Sequence, residues 1–198
     1  MKKTVFILSK SILKSGETPD LALVPPAAKR RLSPIQKIYF SLASKAERAP
    51  AASTVFASRD GEDFLTRQIV EAFYEDGSVS PHKFSASVYN AAPGLWSVHT
   101  RNNANYTAVV AREDSLEAGL LESLTGALPS LFVYAEETDG GYGAALFFDS
   151  GDGEKVTVDF TADVLAEPIS FDGLVAFLEG KSAVLAGRYL RLEKTTGE

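Results

Sequence analysis

Two histidines and a cluster of carboxylates are the residues of this sequence that could do acid–base chemistry. The chain contains no cysteine. Thiol nucleophiles, disulfides and thiolate-bound metals are therefore excluded. His82 and His99 do not lie at metal-ligand spacing from each other. Glu113 is followed by Asp114 and Glu117, a pattern typical of the first helical turn, where free N–H groups favour negative charge. A helix-start role explains Glu113, and acid–base chemistry is the alternative.

Other catalytic and binding motifs fail on inspection. Residues 149–153, Asp-Ser-Gly-Asp-Gly, loosely resemble a calcium loop, but the carboxylates are not at the alternating positions that calcium needs. Their composition favours a hairpin turn instead. The sequence has no GxSxG elbow, no GxxxxGK[ST] loop and no GxGxxG after a strand. We therefore expect no metal and no cofactor.

Composition narrows the possible partners. The 198 residues are 45% hydrophobic and carry a net charge of −6, which predicts one domain over residues 1–198 and argues against nucleic acid. The basic cluster around Arg30 and Arg31 is too short to track a phosphate backbone, but it is the expected contact for an acidic carrier protein. The apolar run 5–8 is too short to insert into a membrane, so a cytoplasmic location is expected.

Hydrophobic periodicity predicts the elements that position these residues. A strand is expected at residues 4–8, and Ser33-Pro34 starts a helix with the spacing of one apolar face. The residues of that face are Ile35, Ile38, Tyr39, Leu42 and Ala46. A second strand is expected at 54–57 and a helix at 62–75, with these side chains turned inward: Phe64, Leu65, Ile69 and Phe73. Another Ser-Pro start predicts a helix along 81–96, which Pro93 should kink or split.

The rest of the chain continues the alternation and then departs from it. A strand at 106–111, a helix at 113–127 and a strand at 131–135 predict an α/β fold with a mostly parallel sheet between helices. Residues 144–148 and 155–160 are then expected to pair as a closing antiparallel hairpin. The core is expected to span about residues 1–160, followed by an extension over 161–198 with a helix near 171–178 and a strand near 189–192.

Three segments resemble the N-terminal half of β-ketoacyl synthases, which have a thiolase-like fold. They read RRLSPIQKIYFSLASKA from residue 30, TVFASRDGE from residue 54 and GYGAALFFDSGDGEKVTVDF from residue 141. Ser80-Pro81, Asn90 and Gly94 also fall where a synthase has Ser-Pro, Asn and Gly, and the same register puts Glu113 at the nucleophilic cysteine. Within the family, the sequence is most similar to the small chain length factor subunits of aryl polyene and type II polyketide synthesis.

This resemblance implies a subunit that has lost catalysis. The nucleophile is replaced, and the C-terminal half that supplies the basic catalytic residues is expected to be missing. Chain length factors pair with a full-length, cysteine-bearing β-ketoacyl synthase and shape its acyl tunnel. The residues implied at that interface and tunnel are Phe84, Val88, Tyr89, Leu95 and Trp96, although core packing is the simpler explanation for any one of them. Two alternatives remain: a malonyl-carrier decarboxylase or thioesterase using Glu113 with His82, and a stand-alone homodimeric binding module.

Overall fold

One mixed sheet organises the part of the chain that this computed structural model describes, which is residues 1–49, 51–160, 163 and 165–195. Its strands are β1 (Lys2–Leu13), β2 (Ser53–Ala57), β3 (Tyr106–Val109), β4 (Ser130–Glu136), β5 (Tyr142–Asp149), β6 (Glu154–Phe160), β7 (Val184–Ala186) and β8 (Leu190–Lys194). Their order across the sheet is β3-β2-β4-β5-β1-β6-β8-β7. β3 is therefore an edge strand.

Helices cover both faces of this sheet. They are α1 (Pro26–Lys29), α2 (Pro34–Ala46), α3 (Asp63–Asp76), α4 (Pro81–Ala86), α5 (Ala91–Thr100), α6 (Ser115–Thr125) and α7 (Phe171–Leu178), with a 3-10 turn at Arg112–Asp114. One core contains α2 and Trp96 of α5, and the other contains α6 and α7. In the described residues, no helix is both long and apolar enough to cross a membrane.

The expectation of a mostly parallel sheet is wrong, although helices do flank the sheet as predicted. Only the pairings of β2 with β3 and β2 with β4 are parallel, and every other pairing among the described strands is antiparallel. In both parallel pairs the connection between the two strands runs through helices. β4 and β5 are instead joined by residues 137–141 alone, a turn too short for a crossover, so these two strands form an antiparallel hairpin.

The closing hairpin predicted between residues 144–148 and 155–160 is also wrong, because β1 lies between these two strands. Phe6 of β1 pairs with Asp149 on one side and with Lys155 on the other. The chain therefore crosses over β1 instead of turning back, and it does so where the register of β1 shifts between Ile7 and Ser9. Gly153 permits this crossing: it has a φ of 106°, and a Cβ there would lie 2.7 Å from the Ile7 carbonyl oxygen.

Helix α2 forms as the sequence predicts. The Ser33 hydroxyl accepts a hydrogen bond from the Gln36 amide at 3.2 Å, and the Gln36 side chain accepts one from the Ser33 amide at 3.1 Å. This capping box satisfies two N–H groups that a helix start leaves free. The whole predicted apolar face is buried, from Ile35 to Ala46. Local sequence and tertiary burial agree here.

The inward packing predicted for α3 is wrong. None of its residues, all of which the structure describes, is buried; Phe64 is 46% exposed and Phe73 is 57% exposed. The segment predicted as a kinked or split helix over 81–96 is split into α4 and α5, but the break comes before Pro93 and not at it. Pro93 is the third residue of α5, where the missing N–H has no intrahelical partner to lose.

The C-terminal residues add to the same sheet. The helix expected near 171–178 is confirmed as α7, and the strand expected near 189–192 is confirmed as β8, which pairs with β6. The short strand β7 was not predicted. Residues 161, 162, 164 and 196–198 of the expected extension lie outside the described residues.

Candidate functional site

Glu113 lies in the turn that links β3 to α6. Arg112 before it has a φ of 52°, in the left-handed region, so the chain turns sharply between strand and helix. The Glu113 side chain is exposed and lines a cavity of about 340 Å³, whose other lining residues include Arg59 and Tyr134. Glu113 is therefore at a cavity wall, on the solvent side of the helix start.

Glu117 has a role that the sequence analysis missed. Its side chain is fully buried. Its carboxylate accepts hydrogen bonds from four backbone N–H groups of the C-terminal segment. The donors are Ile169 at 3.2 Å, Arg188 at 3.1 Å, Tyr189 at 2.5 Å and Leu190 at 3.1 Å. A carboxylate so placed satisfies donors that would otherwise be buried without partners. Glu117 is thus an anchor for the segment around β8, not only a charge at a helix start.

The two histidines line one apolar groove of about 710 Å³ between α1, α4 and α5. Both histidines are exposed, and the ring centroid of His99 lies 5.7 Å from those of Phe40 and Trp96. Among the residues the structure describes, no group of three or more histidine or carboxylate side chains is placed to hold a metal ion. The histidines therefore belong to a surface groove.

The five residues expected at an interface or tunnel are in four different environments. Val88 and Leu95 line the groove and are 44% and 40% exposed. Phe84 is 60% exposed on α4. The Tyr89 ring packs over Gly61, and its hydroxyl donates to the Arg59 carbonyl at 2.7 Å. Trp96 is only 4% exposed and belongs to the core, so it does not reach the surface assigned to it.

Exposed apolar side chains are concentrated on α3, α4, α5 and β3, which we call the α3–β3 face. They are Phe64, Val70, Phe73, Tyr74, Phe84, Val88, Leu95, Val98 and Tyr106. These elements contact one another in series, α3 with α4, α4 with α5 and α5 with β3. The exposed apolar side chains of α3 were not predicted, because their helical spacing is also typical of a helix face that packs on the core. Several large apolar side chains exposed on adjoining elements are typical of interaction sites.

A basic cleft borders this face. Arg30, Arg31, Lys37, His82 and Lys83 line a cleft of about 470 Å³ together with apolar residues such as Leu32 and Phe64. Within the described residues, none of the four arginine and lysine side chains forms an ion pair, whereas other cations of the chain do. In a chain with a net charge of −6, these side chains form a local concentration of positive charge.

Comparison with protein families identifies the chain. A model described as β-ketoacyl synthase, N-terminal domain, matches residues 8–139, which is more than half of the chain. The chain belongs to this β-ketoacyl synthase family. No curated protein matches the sequence.

Solved structures agree with the family. A chain of the ketosynthase (ApeO) in complex with its chain length factor (ApeC) from Xenorhabdus doucetiae has a TM-score of 0.74 and 21% identity, covering 98% of this chain and 100% of that one. The ishigamide ketosynthase/chain length factor has a TM-score of 0.62 and 12% identity, covering 91% and 72%. At such identities the likeness shows the fold, and it confirms the thiolase-like fold implied by the sequence resemblance.

Proposed function

We propose that this chain is a non-catalytic chain length factor subunit that pairs with a cysteine-bearing β-ketoacyl synthase. The observation that carries the proposal is the exposed α3–β3 face on a member of a synthase family that has no cysteine. The product class would be a polyketide, an aryl polyene or a related fatty-acid-like chain. Its cytoplasmic location remains a prediction.

The chemistry of the turn before α6 supports delegation of catalysis. A condensing enzyme holds its acyl chain as a thioester on a nucleophilic sulfur, and the chain has no cysteine to supply one. The exposed carboxylate of Glu113 stands at the family's nucleophile position in the register of the sequence. A carboxylate cannot form that thioester, so the chain needs a partner that can.

The α3–β3 face supports pairing. A monomer rarely leaves this many large apolar side chains exposed on adjoining elements, and their burial against a partner would be favourable by about 25 cal/mol per Å² of apolar surface. The face also includes β3, an edge strand with unpaired backbone groups on its outer side. We propose that Phe84, Val88, Tyr89 and Leu95 lie at this interface, together with Phe73 and Val70 of α3.

The basic cleft supports a carrier-protein contact as part of the same function. Arg30 and Arg31 were the residues expected there from the sequence, and Lys37 and Lys83 line the same cleft. Their charge would attract an acidic partner, most strongly at low salt. Arg30→Glu combined with Arg31→Glu should weaken carrier binding while leaving synthase binding intact.

Co-expression with the neighbouring cysteine-bearing synthase tests the main proposal. We expect a stable complex at one copy of each chain, measured by size exclusion with light scattering, and condensing activity only in the complex. The Phe84→Ala variant should lengthen products or weaken the complex. The proposal would be contradicted if no complex formed, or if no substitution on the α3–β3 face changed the product length or the stability of the complex.

The two alternatives predict different results from the isolated chain. A decarboxylase or thioesterase would act on a malonyl or acyl carrier thioester by itself and would lose activity in Glu113→Ala. A homodimeric module would give a monodisperse dimer when expressed alone and would not exchange into a complex with the synthase.

A further inference from the structure

Helices α3 and α4 contribute no residue to either hydrophobic core. No residue of either helix is buried, and the structure describes both helices in full. Their exposed side chains include Phe73 and Phe84, which belong to the proposed interface. Polar contacts at the start of α3 and the end of α4 therefore help to hold these two helices, which we call the α3–α4 layer, in place.

Those contacts converge on Glu62, the residue just before α3, which is 4% exposed. One of its carboxylate oxygens accepts a hydrogen bond from the Ser33 hydroxyl at 3.0 Å and one from the Gln36 side-chain nitrogen at 2.6 Å. The same Gln36 nitrogen donates to the carbonyl of Ala86, the last residue of α4, at 3.1 Å. Gln36 is itself fully buried. One side chain of α2 thus joins the start of α3 to the end of α4.

A second carboxylate lies at the same junction. Glu137 accepts a hydrogen bond from the Phe64 amide in the first turn of α3 at 2.5 Å. One oxygen of Glu62 and one of Glu137 are buried and have no hydrogen-bond partner among the described residues. The same is true of the neighbouring Thr138 hydroxyl. A buried anionic oxygen without a donor is costly.

Other charged groups face this junction from the elements packed around it. Asp63 of α3 and Glu136 of β4 add negative charge beside Glu137. Lys37 of α2 lines the same shallow cavity as Glu137, and His82 and Lys83 of α4 line the cleft on the Ser33 side. The Phe64 amide donates to one oxygen of Glu137, and the Ser33 hydroxyl and the Gln36 nitrogen donate to one oxygen of Glu62. The second oxygen of each carboxylate has no donor among the described residues.

We propose that Glu62, acting through Gln36, is the positioning residue for the α3–α4 layer, and that ionisation of Glu62 beside Glu137 loosens this layer. The proposal deepens the proposed function, because the layer carries part of the partner-binding face. Proton loss leaves two negative charges at one buried junction. The hydrogen bonds from Ser33 and Gln36 remain, but repulsion between the two carboxylates and the cost of burying the new charge act against them.

The sign of the pH dependence follows from burial. Desolvation raises the pKa of Glu62 from its usual 4.5 to about 7, the bonds from Ser33 and Gln36 oppose that rise, and Glu137 adds to it. In a detached layer Glu62 would titrate near 4.5. Between pH 4.5 and pH 7, detachment of the layer therefore releases a proton. The equilibrium constant for detachment rises by up to about tenfold per pH unit in this range and is level above pH 7.

Hydrogen exchange on the isolated full chain tests this directly. After correction for intrinsic rates, amides of α3 and α4 should exchange faster as pH rises from 5 to 7, with a plateau above 7, while amides of α7 should not follow. Glu62→Gln should remove this rise, since it keeps an acceptor oxygen without the charge. Glu71→Gln, the same change on the exposed side of α3, should keep it. A rise that persists unchanged in Glu62→Gln would overturn the proposal.

A second variant covers the case in which Glu62→Gln does not fold. Glu137→Gln removes the neighbouring charge, so the midpoint of the rise should move to lower pH; an unmoved midpoint would also overturn the proposal. Synthase binding is measured separately at pH 6 and pH 8. Absence of binding at both values counts against the proposed function alone, because the exchange result needs no partner.

Discussion

The indole nitrogen of Trp96 donates a hydrogen bond to a carboxylate oxygen of Glu47 at 3.0 Å. Burial raises the pKa of Glu47, and the bond from Trp96 partly offsets that rise. The same indole packs edge-on against Phe40, with ring centroids 5.1 Å apart. The bond therefore joins α5 to the residue that ends α2, and it gives Trp96 a structural role.

Replacing Trp96 by Phe should destabilise the fold. The change removes one donor to a carboxylate whose other oxygen is already buried without a partner in the described chain, and such a loss costs about 1–3 kcal/mol. Urea unfolding would measure it. Val98→Ala, at a 78% exposed position of the same helix, should change stability by less than about 0.5 kcal/mol. Unchanged stability with altered product length would instead return Trp96 to the interface.

Replacing Glu117 by Ala should detach the C-terminal segment. Four backbone N–H groups would lose their acceptor, which we expect to cost about 3 kcal/mol or more. Limited proteolysis should then cut near residues 187–190, and urea unfolding should shift to lower concentration. Glu113→Ala is the matched control, because that carboxylate is exposed and accepts no hydrogen bond within the described residues. Equal effects of the two changes would contradict the anchor role.

The crossing over β1 can be tested at Gly153. An added Cβ would lie 2.7 Å from the Ile7 carbonyl oxygen on a backbone with a φ of 106°, so Gly153→Ala should cost roughly 1–3 kcal/mol. Gly151 has no atom within 4 Å of such a Cβ, and Gly151→Ala should be nearly neutral. If β5 and β6 formed a simple hairpin, no such difference would be required. Thermal unfolding of both variants would decide.

A charge placed on α3 should block assembly without unfolding the chain. Phe73 is 57% exposed, so Phe73→Asp should leave stability almost unchanged, but burying the new carboxylate at an interface should weaken synthase binding at least about tenfold. Leu165→Asp, at a 91% exposed position outside the α3–β3 face, serves as the control. Binding is measured by titration of labelled synthase. Equal affinity for the Phe73 variant and the wild type would exclude α3 from the interface.

Some elements were predictable because their signals are local. The Ser33-Pro34 start and the apolar spacing from Ile35 to Ala46 define α2 within its own sequence, and the structure buries that face in full. The α7 helix also has local signals: Ser170, whose hydroxyl accepts a hydrogen bond from the Gly173 amide, precedes a short apolar run. The family segments around residues 30 and 54 are also local patterns.

Other features depend on contacts between distant residues. Helical spacing indicates that α3 is amphipathic. It cannot show whether the apolar side chains, such as Phe64 and Phe73, meet the core or solvent. The same limit applies along 84–96, where Trp96 is in the core while Phe84 is exposed. Glu117 gave no sequence signal beyond its helix-start position, because its four donors lie more than fifty residues away.

The sequence by itself determined the absence of thiol chemistry, the helix starts and the resemblance to β-ketoacyl synthases, since these are properties of residue types and short-range spacing. Only the tertiary structure decided that β1 separates β5 from β6, that α3 faces outward and that Glu62 and Glu137 meet. The physical reason is that strand pairing and burial are settled by competition among all segments for one sheet and its two cores, and a local pattern does not contain the outcome of that competition.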